Sequence, residues 1–382
     1  MIDRGIATFT LDTGKCPKWL FDRMVLLGRE MMEVIIEEHG SGEFIKRIGD
    51  PVWFQSLGTV LAFDWNASGL TTILTAALKE AIRGMEGRLG LFICGGKGKT
   101  SRKTPEEIRS WAERLSLPDK RGENLVYNSK MAAKVDSSLI QDGFQIYHHA
   151  FFFSSGGAWA VVQQGMNTQN ATARRYHWYS EKITDLVCEP HSGIASQIKV
   201  PALNLTAKDS TKNRALSTEL VRGGFNTLMK DIELLRRHYS EYSKMVSFKH
   251  RGEKTTLLKL PDREFEHHPV ENEDFSKSKY LEKILFKLCD EKPASYEELL
   301  SKEGVGPKTI RALSLVSEVI YGAEASYEDP ARYSFAHGGK DATPYPVDRP
   351  TYDNTIEFFS KVVKKTKFPR SDRARMLDNL LQ

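Results

Sequence analysis

The stretch DGFQIYHHAFFFSSGGAWAVVQQG, residues 142–165, contains two runs of strand-forming residues on either side of Ser154-Ser155-Gly156-Gly157. Aromatic and β-branched residues bounded by serine and glycine are typical of a β-hairpin. Before it, residues 52–63 read as a further strand, and a helix pattern runs from Ser68 to about Gly84. We therefore expect residues 1–200 to form a mixed α/β domain.

Strand alternation separates the two histidines of this hairpin. Successive side chains of a strand point to opposite faces of the sheet, so His148 and His149 cannot both face one cavity. Together with nearby aspartates and a glutamine, one of them would suit a metal or acid–base site that cleaves phosphodiester bonds. The predicted catalytic residues are Asp136, Asp142, His148, His149 and Gln164, and the expected metal is Mg²⁺ or Mn²⁺. The alternative is that the histidines are hydrogen-bonded core residues.

A second stretch, RLGLFICGGKGKTSRKTPEEIRSWAERL at residues 88–115, includes Gly-Lys-Thr, the end of a phosphate-binding P-loop. The P-loop also needs a glycine five positions earlier, where this chain has Ile93. Thr104 and Glu107 predict the capping box of a helix that begins too late for that motif. We therefore expect no nucleotide cofactor. The loop is either solvated surface or a contact for the phosphates of a polyanion, through its cations Lys97, Lys99, Arg102 and Lys103.

The run Arg174-Arg175-Tyr176-His177-Trp178-Tyr179 interleaves cations with aromatic residues. That combination suits a surface that stacks on unpaired bases and holds phosphates, which makes Arg174, Arg175 and Trp178 candidate nucleic-acid contacts. An amphipathic segment that covers a core shows the same pattern.

Beyond residue 200 the strand patterns mostly end, and we expect a second, all-helical domain at 201–382. Its most specific feature is SYEELLSKEGVGPKTIRALSLVSEVIYG, residues 295–322, which resembles a helix-hairpin-helix element. Glycines allow a tight turn and the close approach of a phosphate, and the following helix start offers unpaired N–H groups. Such elements bind the DNA backbone without reading bases, and the candidate contacts here are Gly304, Gly306, Lys308 and Thr309. The alternative is an ordinary helix pair with a glycine turn.

Helix-hairpin-helix elements also occur in the endonuclease III-like DNA glycosylases. The resemblance implies that a lysine at the position of Lys308 would be the nucleophile, with an aspartate after a short helix. The candidate aspartate is Asp348, which lies 40 residues further on, beyond the spacing of that family. A divergent glycosylase is therefore an alternative function.

Composition is that of a soluble globular protein, with 40% hydrophobic and 27% charged residues in 382. The four cysteines show no paired spacing, the beginning of the chain lacks a secretion signal, and no apolar run approaches membrane-spanning length. These features predict a cytoplasmic protein. The net charge of +5 is unevenly distributed, since the last segment is basic and residues 262–274 are acidic. Such a distribution favours a shaped positive surface.

Several runs resemble a family catalogued as domain of unknown function 763, found mostly in archaea and thermophilic bacteria. The runs are GIATFTLDTGKCPKWLF, LFICGGKGKTS, QDGFQIYHHAFFF and HGGKDATPYPVDRPTYD. From the residues themselves we expect a DNA-binding protein, either a nuclease or a repair factor. The competing class is a DNA-binding module without enzymatic activity.

Overall fold

The computed structural model describes residues 9–11, 16–61, 67–238, 247–250, 253–256, 278–331 and 349–381. Contacts divide the chain into two compact units. The first unit comprises residues 1–136, 144–199 and 330–382, and the second unit comprises residues 137–143 and 200–329.

The α-helices are, in chain order, α1 (Lys18–Ile48), α2 (Pro51–Val60), α3 (Ala67–Ala81), α4 (Glu86–Leu89), α5 (Thr104–Arg114), α6 (Asp119–Ser138), α7 (Thr211–Arg222), α8 (Phe225–His238), α9 (Lys279–Glu291), α10 (Tyr296–Ser301), α11 (Pro307–Leu315), α12 (Arg349–Lys365) and α13 (Arg370–Leu381). The strands are β1 (Leu91–Lys97), β2 (Ile140–Gln141), β3 (Gln145–Ser154), β4 (Trp159–Asn167), β5 (Thr172–Tyr179), β6 (His191–Ser196), β7 (Leu203–Asn204), β8 (Ser247–His250) and β9 (Glu253–Thr256). None of the helices described is both long and apolar enough to cross a membrane.

The first unit is built on a five-stranded antiparallel sheet of order β1-β3-β4-β5-β6. The predicted hairpin is confirmed as β3 and β4, joined by a turn in which Gly157 N donates to Ser154 O at 3.0 Å. Strand β6 lies in a stretch that the sequence pattern did not identify as a strand.

Each face of this sheet is covered by helices. Alternate residues such as Ala150, Phe152 and Val162 join a core with α1, α2 and α3. The intervening residues pack on the other side, where Phe92 contacts Trp111 of α5 at 5.0 Å between ring centroids. Both faces of the hairpin are therefore buried over most of its length, and His148, His149, Gln163 and Gln164 lie in the interior.

The predicted strand at 52–63 is wrong over the part that the structure describes, because residues 51–60 are helix α2. Asp50 caps this helix by accepting from Val52 N at 2.8 Å and Trp53 N at 3.1 Å, and Pro51 occupies its first turn. A helix start of this kind outweighs the strand preference of the residues that follow, because it satisfies the first backbone donors.

The last helices belong to the first unit. Phe359 and Val362 of α12 and Met376 of α13 lie in the core cluster formed with α1 and α2, and Phe359 stacks on Trp53 with 5.1 Å between ring centroids. The second unit thus ends at residue 329, whereas the sequence analysis placed its end at 382.

The second unit is mainly helical, with α7 to α11, and it also contains the two-stranded pairs β2–β7 and β8–β9. Gln141 of β2 links the segment 137–143 to α11 within this unit. Its Nε2 donates to Pro307 O at 3.0 Å, and its Oε1 accepts from Arg311 Nε at 2.5 Å. The expected fold class, a mixed α/β domain followed by a helical one, is confirmed.

Candidate functional site

The glycine-rich loop begins where β1 leaves the sheet. Gly95 has a φ of 87°, and a Cβ at this position would lie 2.2 Å from His149 O and 2.4 Å from Thr104 Oγ1. Glu107 Oε2 accepts from Gly95 N at 2.8 Å and from Lys79 Nζ at 2.6 Å, while Lys79 Nζ also donates to Gly95 O at 3.1 Å. The predicted capping box is therefore wrong, because Glu107 holds the Gly95 peptide and Thr104 donates to Ser101 O.

The four predicted phosphate contacts of this loop are all exposed. The strand ends at Lys97, and a short 3-10 helix with the other three cations follows it. None of the four forms an ion pair with a residue that the structure describes. Lys97 Nζ lies 5.8 Å from the centre of the Tyr147 ring. In contrast, Lys79 is neutralised by Glu107. The loop therefore presents positive charge to solvent that no acidic side chain of the described residues neutralises.

A cleft of about 700 Å³ opens beside this loop. It is lined by residues of α1, α3, β1 and β3, all within the first unit. Its lining includes apolar side chains, among them Leu20, Phe21 and Ile73, and hydroxyl groups from Ser68, Thr72, Thr75 and Tyr147. Lys97 and Lys79 are also among its lining residues.

His148 lies directly behind this lining. Its Nε2 is 3.1 Å from Thr75 Oγ1, and the Thr75 hydroxyl also donates to Thr71 O at 2.9 Å. Burial lowers the pKa of His148 to about 3, so the imidazole is neutral at physiological pH. Its Nδ1 has no hydrogen-bond partner among the described residues. A neutral, fully buried histidine orients Thr75 but is a weak general base.

Gln164 lies behind the same lining, next to Ser68 and Tyr147. It is completely buried, and its Nε2 donates to Ser68 O at 2.9 Å and to Tyr147 Oη at 2.5 Å. Its Oε1 finds no partner within the described part of the chain. Gln164 and His148 thus hold the hydroxyl groups of the cleft from inside the sheet.

His149 faces the opposite side of the sheet, as strand alternation predicts. Its Nε2 is 2.8 Å from Ser129 Oγ on α6, and its Nδ1 is 2.9 Å from Gln163 Oε1. Burial lowers the pKa of His149, although the hydrogen bond to Gln163 opposes the shift. This histidine is a hydrogen-bonded core residue.

Asp136 completes the buried network on that side. The completely buried carboxylate accepts from Gln163 Nε2, from Trp178 Nε1 at 3.1 Å, and pairs with His191 Nε2 at 2.5 Å. The two oxygens of this buried carboxyl group are thereby hydrogen-bonded within the protein.

The five predicted catalytic residues do not form one site. His148 and Gln164 lie on the cleft side of the sheet, and His149 and Asp136 lie on the other. Asp142 is buried in the second unit. This separation of the two histidines is the one that strand alternation predicts. Among the described residues no cluster of three or more His, Cys, Asp or Glu side chains suited to a metal occurs.

Arg174, Arg175 and Trp178 are completely buried, so the prediction that they contact nucleic acid is wrong for this conformation. The Arg175 guanidinium lies 4.6 Å from the centre of the Phe54 ring and donates to Pro51 O at 3.2 Å. Arg174 lies 4.6 Å from the centre of the Phe144 ring. The segment covers the core, which was the alternative interpretation.

The glycine turn of the second unit joins α10 to α11. Gly304 has a φ of 84°, and a Cβ there would lie 2.3 Å from Ile284 Cδ1. Gly306 has extended backbone with no atom within 4 Å of an added Cβ, so it is not required by the turn itself. Lys308 is exposed and Thr309 is buried. Asp348 lies outside the described residues.

Sequence reasoning did not identify Gln163, His191, Lys79 or Glu107. Gln163 shares a face with His149 by strand alternation, so that signal was available. His191 and the Lys79–Glu107 pair meet their partners across 55 and 28 residues, respectively, and no local pattern announces such contacts.

No match was found among curated proteins or among solved structures. A family model described as "Protein of unknown function (DUF763)" matches residues 5–347. That match covers most of the chain and includes the glycine-rich loop, the hairpin and the α10–α11 turn. The chain therefore belongs to the DUF763 family.

Proposed function

We propose that the protein binds DNA through the phosphate backbone and that the exposed cations of residues 97–103 are its principal contact. The observation that carries this proposal is the cluster of Lys97, Lys99, Arg102 and Lys103, none of which pairs with an acid among the described residues.

Such cations are suited to phosphate because they lose no protein partner on binding. Most of the stabilisation in this kind of contact comes from releasing the counterions of DNA, which makes affinity steeply dependent on salt and independent of sequence. Elsewhere on the first unit, exposed cations such as Arg88 and Arg109 are engaged by Glu33 and Glu123.

The α10–α11 turn is a second proposed contact, as a helix-hairpin-helix element. Its support is the start of α11, where the cap residue Gly306 provides no side-chain hydrogen bond and Lys308 is exposed. Backbone N–H groups at a helix start, beside a lysine, favour a phosphate.

Phosphodiester cleavage with Mg²⁺ or Mn²⁺ stays a prediction, and it has less support than binding because Asp136, His148 and His149 are buried. Glycosylase chemistry by Lys308 is likewise a prediction. A lysine nucleophile would form a Schiff base with the sugar that borohydride traps, and the adduct would be lost in Lys308→Gln.

Binding is tested by fluorescence anisotropy with labelled single-stranded, duplex and branched DNA at several salt concentrations, and cleavage by adding Mg²⁺, Mn²⁺ or EDTA. Replacing Lys97, Lys99, Arg102 and Lys103 together by alanine should weaken binding to every sequence alike. The slope of log affinity against log salt should decrease by roughly two to four.

The matched control replaces four exposed lysines outside the loop, Lys120, Lys130, Lys182 and Lys212, and so changes net charge equally. We expect it to retain the wild-type slope within about one. Equal losses in both variants would indicate a general charge effect, and no binding by the wild-type protein at low salt would end the proposal.

A further inference from the structure

We infer that the cleft beside the cationic loop holds one unpaired nucleotide of the bound DNA, so that the protein prefers single-stranded or frayed DNA to intact duplex. This inference rests on the proposed DNA binding and adds the form of DNA that is bound.

The dimensions of the cleft suit a nucleotide. Its volume of about 700 Å³ lies inside the range of roughly 300–1,000 Å³ typical of sites for small ligands. A base within a duplex is stacked and paired, and it must leave the stack to enter a cleft of this kind. A strand that is already unpaired avoids that cost.

The lining offers aromatic rings for the base of a nucleoside and hydroxyl groups for its polar atoms. Phe21 and Tyr147 are half-buried aromatic residues that line the cleft, and a base stacks on such rings without regard to its identity. The lining also carries hydroxyl groups. Thr72 donates to Gly69 O at 3.2 Å, which leaves its oxygen to accept from a base or sugar.

Hydrogen bonds from inside the sheet determine how the cleft hydroxyl groups are presented. Gln164 Nε2 donates to Tyr147 Oη, so the phenol keeps its own proton to donate to Ser68 or to a ligand. The remaining acceptors, Gln164 Oε1 and His148 Nδ1, are buried without a partner among the described residues. The bonds that are made, between His148 and Thr75 and from Gln164 to Tyr147, fix these lining hydroxyl groups from within the sheet.

The charge at the rim continues the cationic loop. Lys97 lines the cleft, is exposed and belongs to the group of four unpaired cations. A phosphate on Lys97 would therefore place its nucleoside beside the lining, with the neighbouring phosphates on Lys99 to Lys103. A free nucleoside monophosphate has the same chemistry but would use only Lys97 of the four loop cations, since the lining cations Lys79 and Arg83 are paired with Glu107 and Glu80. The strand is therefore the favoured source.

The test compares a 20-nucleotide single strand with a blunt duplex of the same length at equal salt. The probe is anisotropy, and 2-aminopurine in the strand reports unstacking. We expect the wild-type protein to prefer the single strand on the order of tenfold, the scale of stacking one base on an aromatic side chain. Thr72→Phe and Ala76→Phe each fill the cleft from α3 and should bring this ratio to about one while duplex affinity changes less than about twofold.

Asn124→Phe is the matched control, because Asn124 is exposed on α6 outside the cleft, and it should keep the wild-type ratio. Thermal unfolding identifies a filling variant that loses its fold, and exposed Ala76 is the safer position for the substitution. Wild-type binding without preference, or a preference that survives in a folded filling variant, would overturn the inference but leave the proposed DNA binding intact. Displacement of the strand by stoichiometric dAMP or dCMP would overturn it in favour of a free nucleotide, and absence of all DNA binding would remove the proposed function instead.

Discussion

At the scale of single residues, Gly95 shows how the loop is positioned. Its positive φ and its contact with the strand behind it leave no room for a side chain. Its N–H and its carbonyl are both taken by Glu107 and Lys79. Gly95 therefore turns the chain near the end of β1, and its N–H, unlike the free N–H groups of a P-loop, is already hydrogen-bonded within the protein.

This difference predicts unequal effects of two glycine substitutions. Gly95→Ala should cost about 3 kcal/mol or more of unfolding free energy, because the added methyl meets the carbonyl oxygen of His149. Gly98→Ala, with a φ of 60° and open space around its Cβ, should cost only about 1–2 kcal/mol. Urea unfolding of the two variants measures the difference, and equal costs would contradict the assigned contacts of Gly95.

At the scale of elements, the α10–α11 turn assigns different roles to its two glycines. Gly304 is required by the fold, since its φ is positive and Ile284 fills the space beside it. Gly306 has extended backbone and open surroundings. An effect of changing Gly306 on DNA binding would thus arise at the surface and not from strain in the turn.

We therefore predict that Gly306→Val leaves the melting temperature nearly unchanged and weakens DNA binding by about 1–3 kcal/mol, the scale of a charged hydrogen bond. Lys308→Ala should weaken binding uniformly across sequences and lower the salt slope by about one. The readouts are calorimetry and anisotropy in a salt series.

Lys292 provides the control for this pair of variants, because it is an exposed lysine of the same unit at the end of α9 and is not part of the α10–α11 turn. Lys292→Ala should keep the wild-type slope. If Gly306→Val and Lys308→Ala both bind like wild type, the turn is an ordinary helix connection.

At the scale of the whole molecule, the first unit contains several buried ionisable groups in their neutral form. Burial lowers the pKa of His148, of His149 and of His177. The unfolded chain has these imidazoles in water, where their pKa is about 6.5. Below that pH the unfolded state takes up protons that the folded state does not, so acidification destabilises the fold.

The expected slope can be measured residue by residue. Between pH 7 and pH 5 the His148→Gln variant should lose about 2 kcal/mol less unfolding free energy than the wild type, since the folded-state pKa of His148 is about 3. His39→Gln, at an exposed histidine, should follow the wild-type curve. All six tryptophans lie at or before residue 178, so their fluorescence follows the first unit alone. If the unfolding free energies of the His148→Gln variant and of the wild type fall in parallel between pH 7 and pH 5, the lowered pKa of this histidine is contradicted.

Local patterns predicted the hairpin, the opposite orientations of His148 and His149, and the exposed loop cations, because strand alternation and turn composition act over a few residues. They failed where a distant partner decides the outcome. Asp50 and Pro51 begin a helix in a stretch whose side chains favour a strand. Met376 packs in a core with residues of α1 and α2, which lie more than 300 positions earlier in the chain. Arg174, Arg175 and Trp178, which were predicted to bind nucleic acid and are fully buried, show the same limit. A nucleic-acid-binding surface and a core with buried arginines can contain the same residue types, so composition does not distinguish them.

The Lys79–Glu107 pair has a consequence for association between molecules. Strand β1 is the outermost strand of its sheet, and outermost strands with unpaired backbone groups recruit strands from other chains. Around Gly95 both the amide and the carbonyl are already occupied by this ion pair. The edge of the sheet therefore cannot form backbone hydrogen bonds with another strand at Gly95, which protects the protein against fibril-like self-assembly along β1.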